Sequence, residues 1–253
     1  SFKQTTYQTD VLANGIKAII PTQSTTKDFL KDVTTVNTIT YGDYYLPSQT
    51  VSNVNSDFAI STTNLEYLHN PSGNGKDYFI GRPVSKTESM TVYGDTKGAK
   101  EEYTYTGSLL TKKRTFDRNN SDYIDETYDY DGFGNVVQKK IENPYNNDLV
   151  QAAITKSQYD DKGRFVIKKT DNLGLETNIT YNNWGQVLTQ TDPLGNLLTN
   201  TYDAWGKLLT SKTNLGGTTT YTYEKLSNGD TKVTEYLPNN DQKITYTNNI
   251  GQN

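Results

Sequence analysis

Glycine returns along the second half of this chain at a spacing that suits short strands and little else. It stands at Gly163, Gly174, Gly185, Gly195, Gly206 and Gly216, with gaps of 11, 11, 10, 11 and 10 residues. Turn signals roughly 8–12 residues apart mark an all-β chain. Between them lie runs such as Arg164–Thr170, Gln186–Thr191 and Lys207–Lys212, none of which sustains the helical spacing that a helix needs. Asp192-Pro193-Leu194-Gly195 reads as a turn with a mechanism. The Asp side chain accepts from backbone two residues on, Pro presets the next φ, and Gly takes the left-handed conformation that closes a hairpin with a bulge.

A second element repeats in phase with these glycines. Tyr159-Asp160 precedes Gly163, Tyr181 precedes Gly185, Tyr202-Asp203 precedes Gly206, and Tyr223 follows 21 residues after Tyr202. Alternate corners carry Asp171 before Gly174, Asp192 before Gly195 and Thr213 before Gly216. An earlier copy stands at Tyr130-Asp131-Gly132-Phe133-Gly134. Each unit of about 21 residues is therefore one up-and-down hairpin, advancing a sheet by roughly 10 Å. The repeated tyrosines are predicted to form a row along one margin, as packing steps of the repeat, with a ligand-stacking row as the alternative. A strip of this kind cannot bury itself. It must curl or pack on neighbouring repeats, and closing removes its exposed edges.

Composition agrees with sheets whose faces are polar. Only 32% of the 253 residues are hydrophobic, yet there are 20 Tyr, and the net charge of −4 is small. Disorder would combine few aromatics with a high net charge. The absence of Cys excludes disulfides and thiolate metal sites. The acidic balance argues against nucleic-acid binding, which wants a basic face. No apolar run approaches a membrane span. Ser1-Phe2-Lys3-Gln4 does not read as a signal peptide.

The in-phase Tyr-Asp-x-x-Gly corners resemble the YD-repeat family, also called RHS repeats. The resemblance is strongest over 128–223, and Asp160, Arg164, Asp203, Gly206 and Leu208 match its fullest form. Residues 1–100 are expected to be irregular, degenerate β-rich repeats, and 101–253 regular hairpin repeats. Three places depart from the pattern: a longer spacer around Asn143-Pro144-Tyr145-Asn146-Asn147, a Gly two residues late at Gly229, and another one residue late at Gly251. The delay at Gly229 predicts a longer loop. The fold this implies is an all-β antiparallel meander of repeated hairpins, a curled segment of a β-shell. The resemblance further implies a large secreted or bacterial cell-surface protein, of which this chain is a fragment. Its partners would be the remaining repeats of the same parent chain, with an enclosed C-terminal cargo or toxin domain or export machinery. No cofactor is implied.

The candidates for chemistry are few. Asp192-Pro193-Leu194-Gly195 is similar to the motif at the self-cleavage site of full RHS cores, against an ordinary turn in phase with Asp171 and Gly174. Asp129-Tyr130-Asp131-Gly132 is a weak match to a Ca²⁺ loop, lacking the further oxygen ligands and final Glu. His69, the only histidine, would have to serve any Ser-His-Asp set, but sits in a loop-like Leu68-His69-Asn70-Pro71-Ser72-Gly73. Glu101-Glu102, and Asp122 with Asp125-Glu126, are acidic pairs in a chain with 29 carboxylates. Ser72-Gly73-Asn74-Gly75-Lys76 lacks the spacing of a P-loop.

Trp184 and Trp205 occupy equivalent turn positions. They are expected to pack on neighbouring turns, as are Phe133, Leu173 and Leu194 at matching places; exposed, they would be binding aromatics. The leading expectation is a structural, non-enzymatic wall segment that encloses or presents a cargo. The alternative is a cell-surface adhesin or glycan-binding repeat protein.

Overall fold

Thr, Tyr and Val suit a pleated, half-wet surface, and the chain uses them to make strands almost throughout. The computed structural model describes the chain except residues 13–14, 120, 145–151, 249 and 252–253. The expected spacer residues Tyr145–Asn147 thus lie outside the described residues. Helix among the described residues amounts to two single 3-10 turns, Asp43–Tyr45 and Gly75–Asp77. The strands are antiparallel and each pairs with its sequence neighbour, so the fold is all-β, a meander of hairpins.

Two compact units divide the chain, Ser1–Tyr128 with Lys140–Ala153, and Asp129–Lys139 with Ile154–Asn253. The first holds long strands: β1 (Phe2–Val11), β2 (Lys17–Asp28), β3 (Val33–Tyr41), β4 (Pro47–Val54), β5 (Ala59–Asn70), β6 (Phe79–Val92), β7 (Asp95–Thr106) and β8 (Leu109–Phe116). The hairpin of β9 (Tyr123–Tyr130) and β10 (Val136–Glu142) carries the chain from one unit to the other. The second unit has shorter strands: β11 (Ala153–Tyr159), β12 (Val166–Thr170), β13 (Glu176–Tyr181), β14 (Val187–Thr191), β15 (Leu197–Tyr202), β16 (Leu208–Thr213), β17 (Thr218–Lys225), β18 (Thr231–Tyr236) and β19 (Gln242–Thr247).

Neither unit has an ordinary core. Among the described residues, the one buried apolar side chain is Ile179, and Asp125 and Thr234 are the buried polar ones. The chain exposes 17115 Å², where a compact globule of this mass would expose about 11,000 Å². In the first unit, polar cross-strand contacts supply part of the cohesion. Arg114 forks both Asp125 oxygens at 2.8 and 2.9 Å and lies 3.6 Å from the Tyr123 ring. Lys113 meets Glu101 at 2.7 Å, and the Tyr103 hydroxyl donates to the same carboxylate.

The two units share one structural device. In seven of the described hairpins the register slips by one residue just before a tyrosine. Tyr7, Tyr41, Tyr67 and Tyr105 then face Pro21, Pro47, Pro83 and Leu110; Tyr159, Tyr181 and Tyr202 face Val166, Val187 and Leu208. Such a bulge interrupts the ladder and leaves a residue unpaired, so a backbone carbonyl there needs another donor. At five of these slips the next hairpin's tyrosine provides it. The Tyr41 and Tyr67 hydroxyls donate to the Pro21 and Pro47 carbonyls at 2.8 and 3.1 Å. Tyr181, Tyr202 and Tyr223 donate to Val166, Val187 and Leu208 at 2.9, 2.9 and 3.0 Å. Each acceptor is the residue that faces the preceding tyrosine.

This ladder yields a direct test. Tyr181→Phe keeps the ring stacked on Phe165, at 5.1 Å between centroids, but removes the donor to Val166. The expected loss is about 1 kcal/mol, measured by denaturant unfolding, with faster amide exchange concentrated in β12 and β13. No change in either would mean that the hydroxyl contributes nothing.

Candidate functional site: the repeat corners

The corners between strands of the second unit are the most regular feature of the molecule. At Asp131, Asp171, Asn182, Asp192 and Asp203 the first corner residue's N–H donates to the carbonyl four residues on. The glycine's N–H, three residues on, donates back to the corner residue's carbonyl. This is a type I turn followed by a left-handed residue, the three-residue hairpin loop. Gly134, Gly174, Gly185, Gly195 and Gly206 have φ between +79° and +88°, a range that costs a residue with a Cβ. Gly163 and Gly216 also take positive φ, 65° and 94°; the corner at Asp160 is one residue longer, closing on the Phe165 carbonyl.

One side-chain oxygen organises each corner. Asp192 Oδ1 accepts from the Leu194 and Asn196 N–H groups, both at 2.9 Å. The same pair of bonds forms at Asp131 to Phe133 and Asn135, and at Asp171 to Leu173 and Leu175. It recurs at Asn182 to Trp184 and Gln186, and at Asp203 to Trp205 and Lys207. At Asp160 the bonds go to Arg164 and Phe165. The acceptor thus holds the turn and also the first residue of the returning strand. Asn182 does this without a charge, so the geometry needs an oxygen and not an anion.

Successive corners also touch one another. The Asn135 amide donates to the Gly163 carbonyl at 2.8 Å, and the Gln186 amide to that of Gly206 at 2.5 Å. On the opposite margin the Asn214 amide donates to Gly195 at 3.2 Å. The Phe133 ring lies against Gly163 and the Phe165 ring against Gly185, where a Cβ would stand 2.5 and 2.6 Å from ring carbons. Close approach therefore demands glycine there for a second reason besides φ.

The tips behave differently from expectation. Leu173 and Leu194 are 77% and 87% exposed, and Trp184 and Trp205 are 69% and 85% exposed. None of these four is packed away on a neighbouring turn; each occupies the outermost position of its turn. The corner before Gly229 is no longer than the others, contrary to the expected longer loop. Leu226–Gly229 closes with the same bonds as the others; the two extra residues lengthen β17 to eight residues, and its pairing with β18 runs without the slip seen elsewhere. Leu237–Asn240 is a further corner, with Asn240 at φ 67° in glycine's place.

The remaining candidates have other employment. Asp131 Oδ2 accepts from the Asn135 amide at 3.0 Å and Asp192 Oδ2 from the Asn196 amide at 2.7 Å. Both oxygens of each carboxylate are thereby engaged. His69 Nδ1 accepts from the Gly81 N–H at 3.0 Å, and its ring lies 4.8 Å from that of Tyr44. Glu101 and Glu102, consecutive in β7, point to opposite faces and pair with Lys113 and Lys100. Among the described residues no cluster of His, Cys, Asp or Glu is arranged to hold a metal.

The corner carboxylates couple the fold to pH. At Asp192 the Asn196 amide comes first, then desolvation acting the opposite way, then backbone N–H groups; the net effect lowers the carboxyl. At Asp131 desolvation pulls upward, but the N–H and amide donors of Asn135 and the N–H of Phe133 outweigh it. A carboxyl lowered in the folded state contributes stability above the ordinary aspartate range, and the contribution is lost as pH falls through the folded-state value. The melting temperature should therefore drop on acidification below that range. The drop should be smaller in Asp131→Asn/Asp192→Asn, whose side chains keep the acceptor. An equal drop in both proteins would place the acid sensitivity elsewhere.

The glycines give a second prediction. Gly185 and Gly195 have matching φ of 83° and 82°, but only Gly185 faces a ring; a Cβ at Gly195 meets nothing within 4 Å. Gly195→Ala should cost about 1–2 kcal/mol from backbone conformation alone. Gly185→Ala should cost visibly more, because Phe165 must move. Thermal melts of the two variants make the comparison, and equal losses would remove the ring contact from the account.

Comparison with known proteins bears on these corners. No curated protein matches the chain. The crystal structure of TcdB2-TccC3-TEV is 14% identical, with 97% of this chain and 18% of that one covered, at a TM-score of 0.33. That of TcdB2-TccC3-Cdc42 is 12% identical, with the same coverages and a TM-score of 0.35. The chain thus spans less than a fifth of the structures it matches. The RHS Repeat family model matches residues 159–197, two corners on each margin with their tyrosines and glycines. Over that segment the chain matches the RHS Repeat family.

Proposed function

We propose that this chain is a wall segment of a large RHS-type protein, part of a β-shell that encloses or presents a cargo or toxin domain. The observation that carries the reading is a regular strip of coupled hairpins with almost no buried apolar side chain. A sheet of this kind is stable in service only when something covers it, and a wall between a lumen and solvent has that need. Residues 1–100 and 101–253 would be degenerate and regular stretches of the same wall, with Tyr130, Tyr159, Tyr181, Tyr202 and Tyr223 and the corner residues acting structurally. The partners would be further repeats of the parent chain, an enclosed C-terminal domain or export machinery, and the place secreted or cell-surface. The engaged state of the candidate carboxylates and of His69 supports a role without catalysis.

The parent protein provides the test. Limited proteolysis of the intact parent should leave its C-terminal domain uncut. Opening the wall with Gly185→Ala/Gly206→Ala should expose that domain to cleavage. Equal cleavage in both proteins would sink the enclosure.

A second reading, a glycan-binding adhesin, draws on the exposure of Trp184 and Trp205. Aromatic faces beside polar side chains suit sugar rings, and Asn183 and Asp203 line the same concavity as Trp184. A glycan array probed with the wild type and with Trp184→Ala/Trp205→Ala decides it. Binding that disappears in the variant favours this reading, and no wild-type binding removes its motive.

A further inference from the structure

The first unit carries a concavity to which a wall gives no role. It measures about 340 Å³ and is lined by Gln8 and Asp10 of β1, Ile20 of β2, Ile39 and Tyr41 of β3, and Tyr45 of the corner between β3 and β4. Gln8 is exposed and the other five are half-buried. Gln8 Nε2 donates to Asp10 Oδ1 at 2.8 Å. The amide thus orients the carboxylate and leaves Asp10 Oδ2 without a partner among the described residues. The Tyr45 hydroxyl is likewise unengaged among them. Asp10 is the one charged residue of the lining.

Tyr45 reaches this place through an unfavourable backbone. The corner closes with the Gly42 N–H on the Leu46 carbonyl and the Leu46 N–H on that of Asp43, at 2.9 and 3.2 Å. Within it Tyr44 and Tyr45 stand at φ 55° and 57°, the left-handed region that penalises a residue with a Cβ. Gly or Asn would turn the chain there at less cost. The Tyr44 ring packs 4.8 Å from that of His69, whereas Tyr45 lines the concavity. Backbone strain of this kind gathers where a side chain must be held for a ligand.

We infer that this concavity binds a small neutral saccharide. Its volume lies at the lower end of ligand pockets, about 300–1,000 Å³, which join an apolar lining to a few placed polar groups. A sugar ring presents an apolar C–H face and a hydroxyl edge. Ile20, Ile39 and the Tyr45 ring suit the face, and Asp10 Oδ2 and Gln8 Oε1 accept from the edge. The Asp10 charge, with no cation in the lining, repels acidic sugars. A bare cation would want aromatic faces, and two of the apolar lining residues are isoleucines. The inference goes beyond the wall reading, which needs no ligand. It also stands apart from Trp184 and Trp205, which belong to the other unit.

Saturation-transfer NMR on the 253-residue chain tests the site. Methyl α-mannoside, methyl β-galactoside, methyl β-glucoside and N-acetylglucosamine serve as neutral probes, with glucuronic acid and tetramethylammonium as charged ones. At least one neutral probe should bind. Asp10→Asn, which keeps the shape, should weaken that binding roughly tenfold through loss of a charge-assisted hydrogen bond. Tyr45→Asn should abolish it without lowering the melting temperature, since Asn accepts a left-handed backbone more readily. Gln8→Ala alters only an exposed side chain and should weaken binding too, which keeps the test decisive if Tyr45→Asn disturbs the corner. Trp184→Ala/Trp205→Ala should leave binding unchanged. The inference is overturned if no neutral probe binds, if a charged probe is preferred, or if affinity is indifferent to Asp10, Gln8 and Tyr45. Loss confined to the tryptophan variant would also overturn it, and would move the binding to the tips. Proteolysis of the parent protein is independent of this result, so a protected cargo beside an empty concavity leaves the wall standing and removes the site.

Discussion

A carbonyl left open by a bulge and closed by the next hairpin's tyrosine is the bond on which this molecule depends. A β-hairpin alone is marginal in water, and the strands here bury almost nothing to help it. The hydrogen-bonded ladder joins each strand to the next, but register slips at seven tyrosines among the described residues interrupt it. The phenol donates across that interruption, from Tyr41 to Pro21 in the first unit and from Tyr181 to Val166 in the second. The bulge and the tyrosine are therefore one device. Neither makes sense alone, since the slip without the hydroxyl leaves a polar group wanting, and the hydroxyl without the slip finds its acceptor taken.

The corners complete that arrangement with the same economy. A single Asp or Asn oxygen satisfies two N–H groups that would otherwise face solvent at the head of the returning strand. A left-handed glycine sets the strand's direction, and amides such as Asn135 and Gln186 tie one corner to the next. Cohesion is thus spread over many small polar bonds of about 1 kcal/mol each instead of being collected in a core. A structure made in this way is additive along the strip, as repeat proteins are.

Much of this was legible beforehand, for a physical reason. Turn type is a local matter of φ, side-chain acceptors and spacing, so Asp192-Pro193-Leu194-Gly195 declares its geometry within four residues. What was illegible is equally specific. Tyr41 and Tyr67 perform the same job as Tyr181, but stand 26 residues apart, outside the period of about 21, so no period betrays them. The Thr-Tyr pairs at Thr6-Tyr7, Thr40-Tyr41, Thr180-Tyr181 and Thr201-Tyr202 were the available signal. At Gly229 the late glycine predicts a longer loop, whereas the extra length lies in β17. Spacing counts residues between corners and cannot say whether strand or loop absorbs them.

By itself, then, the order of residues determined the hairpin, its corners and its repeat, because those follow from backbone preferences acting over a few positions. Only the tertiary structure decided which carbonyl each tyrosine reaches, which glycines are pressed by a neighbour's ring, and which tips are left bare. Those outcomes depend on strand register, and a slip of one residue moves every side chain to the other face, so they become fixed only when neighbouring hairpins are laid side by side.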